Sequence, residues 1–268
     1  MSTLTAVDDG ALDALPPTSL PELDATAALQ TRVDRKYALT AQEAACLLGA
    51  LAPTARVLEI DGVRRFGYAS TYFDTPDLLS FHLAARRRRR RFKVRTRTYV
   101  DTGACFLEVK SRAARGLTVK HRQPHDDAAH LGAGVGFVAE RLVAARTGGD
   151  TPGARAASLA PVLATRFQRT TLLLPDARVT VDTGLVWTLL AHASGPHPRR
   201  AVLPLTVVET KSGGSPSSAD RLLWRAGHRP DRISKYGAGL ALLDPALPDH
   251  PWRRLLRQRL VTTEGTTP

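Results

Sequence analysis

The stretch Arg91-Phe92-Lys93-Val94-Arg95-Thr96-Arg97-Thr98-Tyr99 constrains the fold more than any other part of the chain. Its charges recur at every second position, the period of a β-strand, so Arg91, Lys93, Arg95 and Arg97 share one face. A strand face of cations alone repels itself unless an anion bridges it or water screens it.

Four further segments repeat the alternation. Phe106-Leu107-Glu108-Val109-Lys110 sets Glu108 and Lys110 on one face, with Leu107 and Val109 on the other. Leu205 to Lys211 puts Glu209 with Lys211, Arg178 to Asp182 puts Arg178 with Asp182, and Arg32, Asp34 and Lys36 fall together. A solvated outer face explains any one such strand. Repeated on five strands with cations dominant, the pattern fits a closed barrel with its charged faces turned inward around an anion. The apolar faces would then lie outward under helices. The net charge of +13 and sequence pI of about 10.6 favour polyanionic partners but do not choose among them.

Strand candidates are Val33–Leu39, Gly67–Phe73, Arg91–Val100, Ala104–Ser111, Leu117–Arg122, Arg166–Leu174, Arg178–Thr183 and Leu205–Lys211. Helices inserted irregularly among so many strands predict an α+β fold: an eight-stranded antiparallel β-barrel forming a tunnel, with helices packed outside. Thr40 and Glu43 make a capping box for a helix that buries Ala44, Leu47, Leu48 and Leu51. Thr75-Pro76-Asp77 opens another, with Thr75 as N-cap. A third runs from about Pro216 to Ala226 and stops at Gly227, and a fourth covers Phe137 to Arg146. Gly148–Ser158 and His192–Arg200 read as loops.

The expected organisation is a disordered lead-in over 1–28, a tunnel domain over 29–246, and a C-terminal basic helix and tail over 247–268. Met1 to Gln30 lacks the pattern of a signal peptide, and no apolar run approaches the ~20 residues of a membrane span. The expected location is the cytoplasm. Cys46 and Cys105 read as ordinary reduced thiols, and His121, His125 and His130 as surface histidines.

Taken in order, several short pieces resemble the polyphosphate polymerase (VTC) domain, a branch of the CYTH-like triphosphate tunnel metalloenzyme superfamily. They are Asp34-Arg35-Lys36-Tyr37, Tyr72-Phe73-Asp74-Thr75, Lys93 to Tyr99, Phe106 to Lys110, Phe167-Gln168-Arg169, Arg178 to Asp182, Val208 to Lys211 and Ile233-Ser234-Lys235-Tyr236. Arg32-x-Asp34-x-Lys36 departs from the superfamily's Glu-x-Glu-x-Lys and suits the polymerase branch better than the hydrolase branch.

The resemblance implies metal-dependent transfer of the terminal phosphoryl of ATP to a polyphosphate chain inside a basic tunnel. It assigns Arg95, Arg97, Lys110 and Glu209 to catalysis. Lys36, Arg86, Arg169, Arg178, Arg232, Ser234 and Lys235 would bind substrate. Arg86 stands for whichever residue of Arg86–Arg91 lines the tunnel. Glu209 would hold Mn²⁺ or Mg²⁺, with Glu108 either assisting or pairing with Arg95 or Lys110. The implied partners are ATP and polyphosphate, with association to a membrane partner and no nucleic acid. Two alternatives stay open: a triphosphatase of the same fold, and a polyphosphate-binding module without chemistry.

Overall fold

A computed structural model describes residues 12–27, 33–112, 118–143, 151–190 and 200–258. Eight principal strands overlap the eight candidates, five of which charge alternation marked: β1 Val33–Leu39, β2 Phe66–Asp74, β3 Arg91–Tyr99, β4 Cys105–Arg112, β5 Thr118–Pro124, β6 Ala160–Leu174, β7 Ala177–Leu189 and β8 Thr206–Ser212. They form one curled antiparallel sheet in the order β1-β8-β7-β6-β2-β3-β4-β5. Short strands extend it, Arg56–Leu58 on β6 and Arg200–Val202 on β7. Register shifts at Tyr72/Phe73 and Arg166/Gln168 bend the long central strands, as bulges do.

Eight helices surround the sheet among the described residues: α1 Leu20–Ala27, α2 Ala41–Leu51, α3 Leu79–Ala85, α4 Val135–Val143, α5 Pro152–Ala157, α6 Ser218–Arg225, α7 Lys235–Leu243 and α8 Arg253–Gln258. Outward residues of the sheet pack beneath them. Tyr37, Val179, Val181 and Val208 join Leu47, Leu48 and Leu51 of α2 and Leu223 of α6 in one apolar cluster. Phe92, Val94, Leu107 and Val109 join Val138 and Leu142 of α4 in another. The Thr40–Glu43 capping box forms as expected. Ser217 and Asp220 form a second one at α6, and Gly227, at φ 84°, ends that helix.

The third cluster sits on the charged face itself. Ala38, Val207, Phe167 and Tyr72 are in phase with the charged residues, yet they pack with Ile233, Tyr236 and Leu240 of α7 and its lead-in. Helix α7 therefore fills one end of the sheet's concave side. Trp252 and Leu255 of the C-terminal segment close over it, so the basic C-terminal helix packs on the body.

Several expectations need correction. Residues 12–27 are ordered: Leu12, Leu15 and Leu23 are buried, and Pro17–Thr18 pairs in parallel with Val57–Leu58. Three buried leucines, two of them in the cluster under α2, outweigh the Ala/Pro/Thr/Asp composition that suggested disorder. Residues 1–11 lie outside the described residues. The segment 151–157, read as loop, is helix α5 with Thr151 as N-cap and Pro152 at its first position. The predicted loop over 192–199 lies outside the described residues. Helix α3 starts at Leu79, not after Thr75, because Asp74 and Thr75 first fold a turn. Asp74 accepts from the backbone N–H of Thr75, Ser80 and Phe81, and Thr75 Oγ1 from that of Leu79.

Candidate functional site

The antiparallel ladder fixes which side chains converge. Glu209 on β8 sits between Lys36 on β1 and Thr180 on β7. Arg169 on β6 is opposite Asp182. On the other limb Arg95 is opposite Glu108, and Lys93, Lys110 and Lys120 stand side by side across β3, β4 and β5. These limbs are far apart along the sheet, yet Lys36 helps depress the pKa of both Lys93 and Lys110. The sheet therefore curls until β1 faces β3 and β4 across a shared interior.

Carboxylates in this interior are each claimed by several cations. Lys36 and Lys211 reach Glu209 Oε1 at 2.7 and 3.3 Å. Burial alone would raise the Glu209 pKa, but Lys211 and Lys36 override it and hold the group well below the usual carboxylate range. Asp182 takes Arg169 at 2.6 and 2.8 Å through a two-pronged contact, and also accepts from Lys235. Glu108 takes Arg95 Nε at 2.8 Å and Lys120 at 2.5 Å, with Arg97 at 4.0 Å. Against its burial, these cations bring the Glu108 pKa to about 2.

The cations exceed what these carboxylates offset. Lys93 is pushed down to about 7 by burial, then by Lys110, Arg95, Lys36 and Arg91. Lys211 falls to about 8, burial again leading. Lys110 is exposed to solvent while enclosure still lowers its pKa, as expected of a residue lining a water-filled passage. Arg97 is 8% exposed and its pKa is lowered, first by burial and then by Arg95. Its guanidinium lies 5.3 Å from the Tyr68 ring centroid, and that of Arg169 lies 5.1 Å from the same ring. Such ring contacts help hold arginines in a dry wall without cancelling their charge.

Helix α7 delivers two more polar groups. Ser234 caps its N-terminus, accepts from Gly237 N–H, and receives the Lys93 ammonium at 2.8 Å. Lys235 follows and points to Asp182. Trp187 Nε1 donates to the Lys235 carbonyl at 2.6 Å, and Tyr236 donates to Asp74, so the start of the helix is pinned from both sides. Asp74 thus serves as an anchor between the end of β2 and the start of α7.

Of the residues expected at the site, Lys36, Arg95, Arg97, Lys110, Arg169, Ser234, Lys235, Glu108 and Glu209 converge on the interior. Arg178 is in phase with them but lies at the sheet's far end, 3.5 Å from Asp24 of α1. Arg232 is exposed in the segment before α7, where Asp231 N–H donates to the Lys36 carbonyl, and does not converge on the interior. Arg86 is misplaced: it is the exposed C-cap of α3, and Arg91 is the arginine of that run on the strand's inner face. The repetition of six arginines hid the phase. Glu108 is held as a partner of Arg95 and Lys120 and not as a free ligand.

The sequence reading underrated Asp182, Lys120 and Lys93. Lys120 was available from alternation on its strand, whereas the Arg169–Asp182 pair depends on a register that only the fold sets.

Among the described residues no group of three or more His, Cys, Asp or Glu side chains gathers to cage a metal. Glu209 and Asp34 lie diagonally across neighbouring strands on the inner face. This donor set fits a hard divalent cation that takes one or two carboxylates and completes its shell from phosphate oxygens and water.

The sequence profile of the VTC domain matches residues 31–244. No curated protein matches the chain in sequence. Among solved structures, the chain is similar to a putative adenylyl cyclase from Hippeastrum with a reported dominant triphosphatase activity, at 16% identity and TM-score 0.46 over 79% of this chain and 96% of that one. It is also similar to a putative adenylate cyclase from Bacillus halodurans, at 13% identity and TM-score 0.46 over 76% and 94%. The PH1819 protein of Pyrococcus horikoshii aligns at 12% identity and TM-score 0.43 over 79% and 98%.

Proposed function

We propose, because this chain belongs to the VTC domain family, that it extends a polyphosphate chain with the terminal phosphoryl of ATP and releases ADP. The observation that carries this reading is the excess of cations over carboxylates on one converging inner face, at the positions that match the family's motifs.

Arg95 and Arg169 are the oriented clamps. Each is held in a fixed plane by a carboxylate, and planar guanidinium groups suit bidentate phosphate contact. Arg97, Lys93 and Lys110 carry the charge left over and bind phosphate oxygens of the chain. Lys36 sits beside Glu209, where the two substrates would meet. Ser234 and Lys235 hold one phosphate against the start of α7, where the helix dipole favours anions. The chain-end oxygen attacks the γ-phosphorus in line, and the bond to the β–γ bridging oxygen breaks. The protein acts by positioning and charge neutralisation, with no covalent nucleophile.

A divalent cation held by Glu209, with Asp34 alongside, would act as a Lewis acid and offset the charge that develops in phosphoryl transfer. On this reading Glu209→Ala loses metal-dependent turnover while tripolyphosphate still binds.

Incubation with ATP and Mn²⁺, resolved by gel, tests the reaction. Long chains plus ADP support polymerisation. Free orthophosphate alone would make the protein a triphosphatase, tight binding without turnover a binding module. Full activity in Glu209→Ala would remove that residue from the mechanism.

A further inference from the structure

The inner face is not uniform. Outward from Lys93, every charged residue that β3, β4 and β5 place on it is a cation. Lys93 stands opposite Lys110, Lys110 opposite Lys120, and Arg91 opposite Arg112. Like charges directly opposed on a sheet destabilise it. The effect is visible at Arg91, whose pKa is lowered by burial and then by Arg112.

This row of cations does not stop at the strand. Arg91 donates to the Arg88 carbonyl at 3.0 Å, which ties the first residue of β3 to the turn before it. In that turn Arg86, Arg87, Arg88, Arg89 and Arg90 are all exposed. Arg87 has φ 55°, and the turn closes with Arg87 N–H to Ala84 O and Arg88 N–H to Leu83 O. That pairing ends helices with a left-handed residue, a position that favours glycine. Here the strained position holds one more arginine. The C-terminal dipole of α3 accounts for a cation or two beside it, not for an unbroken run.

Resting on the polyphosphate reading above, we infer that the Arg86–Arg90 turn is an outer ramp that binds polyphosphate too long for the tunnel, guiding it past Arg91 and Arg112 onto the surface. A flexible chain with one charge per phosphate suits a row of guanidinium groups that continues an internal row. Duplex nucleic acid would need a helix or ribbon presented to a groove, and single strands need stacking aromatics; the turn supplies neither.

The test compares the full chain with the triple variant Arg88→Ser, Arg89→Ser, Arg90→Ser, using tripolyphosphate, long-chain polyphosphate and duplex DNA as probes. The ramp predicts unchanged tripolyphosphate binding in the variant, about a 10-fold weaker hold on long chains, and a shallower salt dependence for them. Equal long-chain affinity in the two proteins would overturn it. So would DNA binding as tight as that of long polyphosphate and lost in the variant. If the unaltered protein binds neither polyphosphate, the functional reading itself falls, and the ramp with it.

Discussion

Lys93 concentrates the electrostatics of the interior in one side chain. Its ammonium is buried among Lys110, Arg95, Lys36 and Arg91, with Ser234 as a neutral partner, and its pKa falls from 10.5 to about 7. Between those two values the unfolded chain keeps a proton that the folded chain has released. The protein binding more protons when unfolded gains stability as pH rises, so ligand-free stability from this group increases from about pH 7 toward 10.5. A bound phosphate chain reverses the balance by favouring the charged form. Tripolyphosphate binding at pH 8 is therefore expected to take up protons, measured by calorimetry in two buffers of different ionisation enthalpy. Lys93→Met is expected to take up fewer, with Lys211 supplying the remainder. Identical uptake in the variant would contradict this assignment. At this scale much of the site was legible, because period-two alternation alone puts Arg95, Arg97, Lys110 and Glu209 on one side of their strands. What alternation cannot give is partnership. Asp182 looked like the neighbour of Arg178, yet it binds Arg169 and Lys235, one from the next strand and one from a helix distant in sequence.

All eight strands were legible, and so were α2 and α6 with their capping boxes, because strand patterning and capping chemistry are local. Helix α7 was not. Lys235-Tyr236-Gly237-Ala238-Gly239 carries two glycines that argue against a helix by propensity. The fold requires them: a Cβ on Gly237 would run into Trp252, and one on Gly239 into Trp187. The glycines let α7 sink between two indoles, which sets where Ser234 and Lys235 meet the tunnel. Gly239→Ala is expected to cost about 1–3 kcal/mol from overpacking, read by urea unfolding. It should also weaken tripolyphosphate binding by shifting the helix start. Stability and affinity both unchanged would show that α7 does not position the site. Residues 12–27 and 151–157 escaped notice for a related reason, since Leu12, Leu15 and Ala156 are buried in clusters built largely from residues far along the chain.

For the whole molecule, the charge excess of the sequence proved to be arranged rather than spread. The carboxylates of the interior each hold several cations in place, and the cations left over face a shared space or run out toward Arg86–Arg90. Curling of the sheet produces that arrangement by bringing β1 opposite β3 and β4, a curvature that no single segment encodes. The described residues contain no helix long and apolar enough to cross a membrane. The central claim is that this interior holds a phosphate chain. Its most direct test is equilibrium binding of tripolyphosphate without metal or nucleotide, to the unaltered protein and to Arg97→Ala with Lys110→Ala. The account predicts binding that weakens steeply with salt and falls by about 100-fold or more in the double variant, since each lost charge-assisted contact is worth about 1.5–3 kcal/mol. No binding at low salt, or equal affinity in the two proteins, would contradict it.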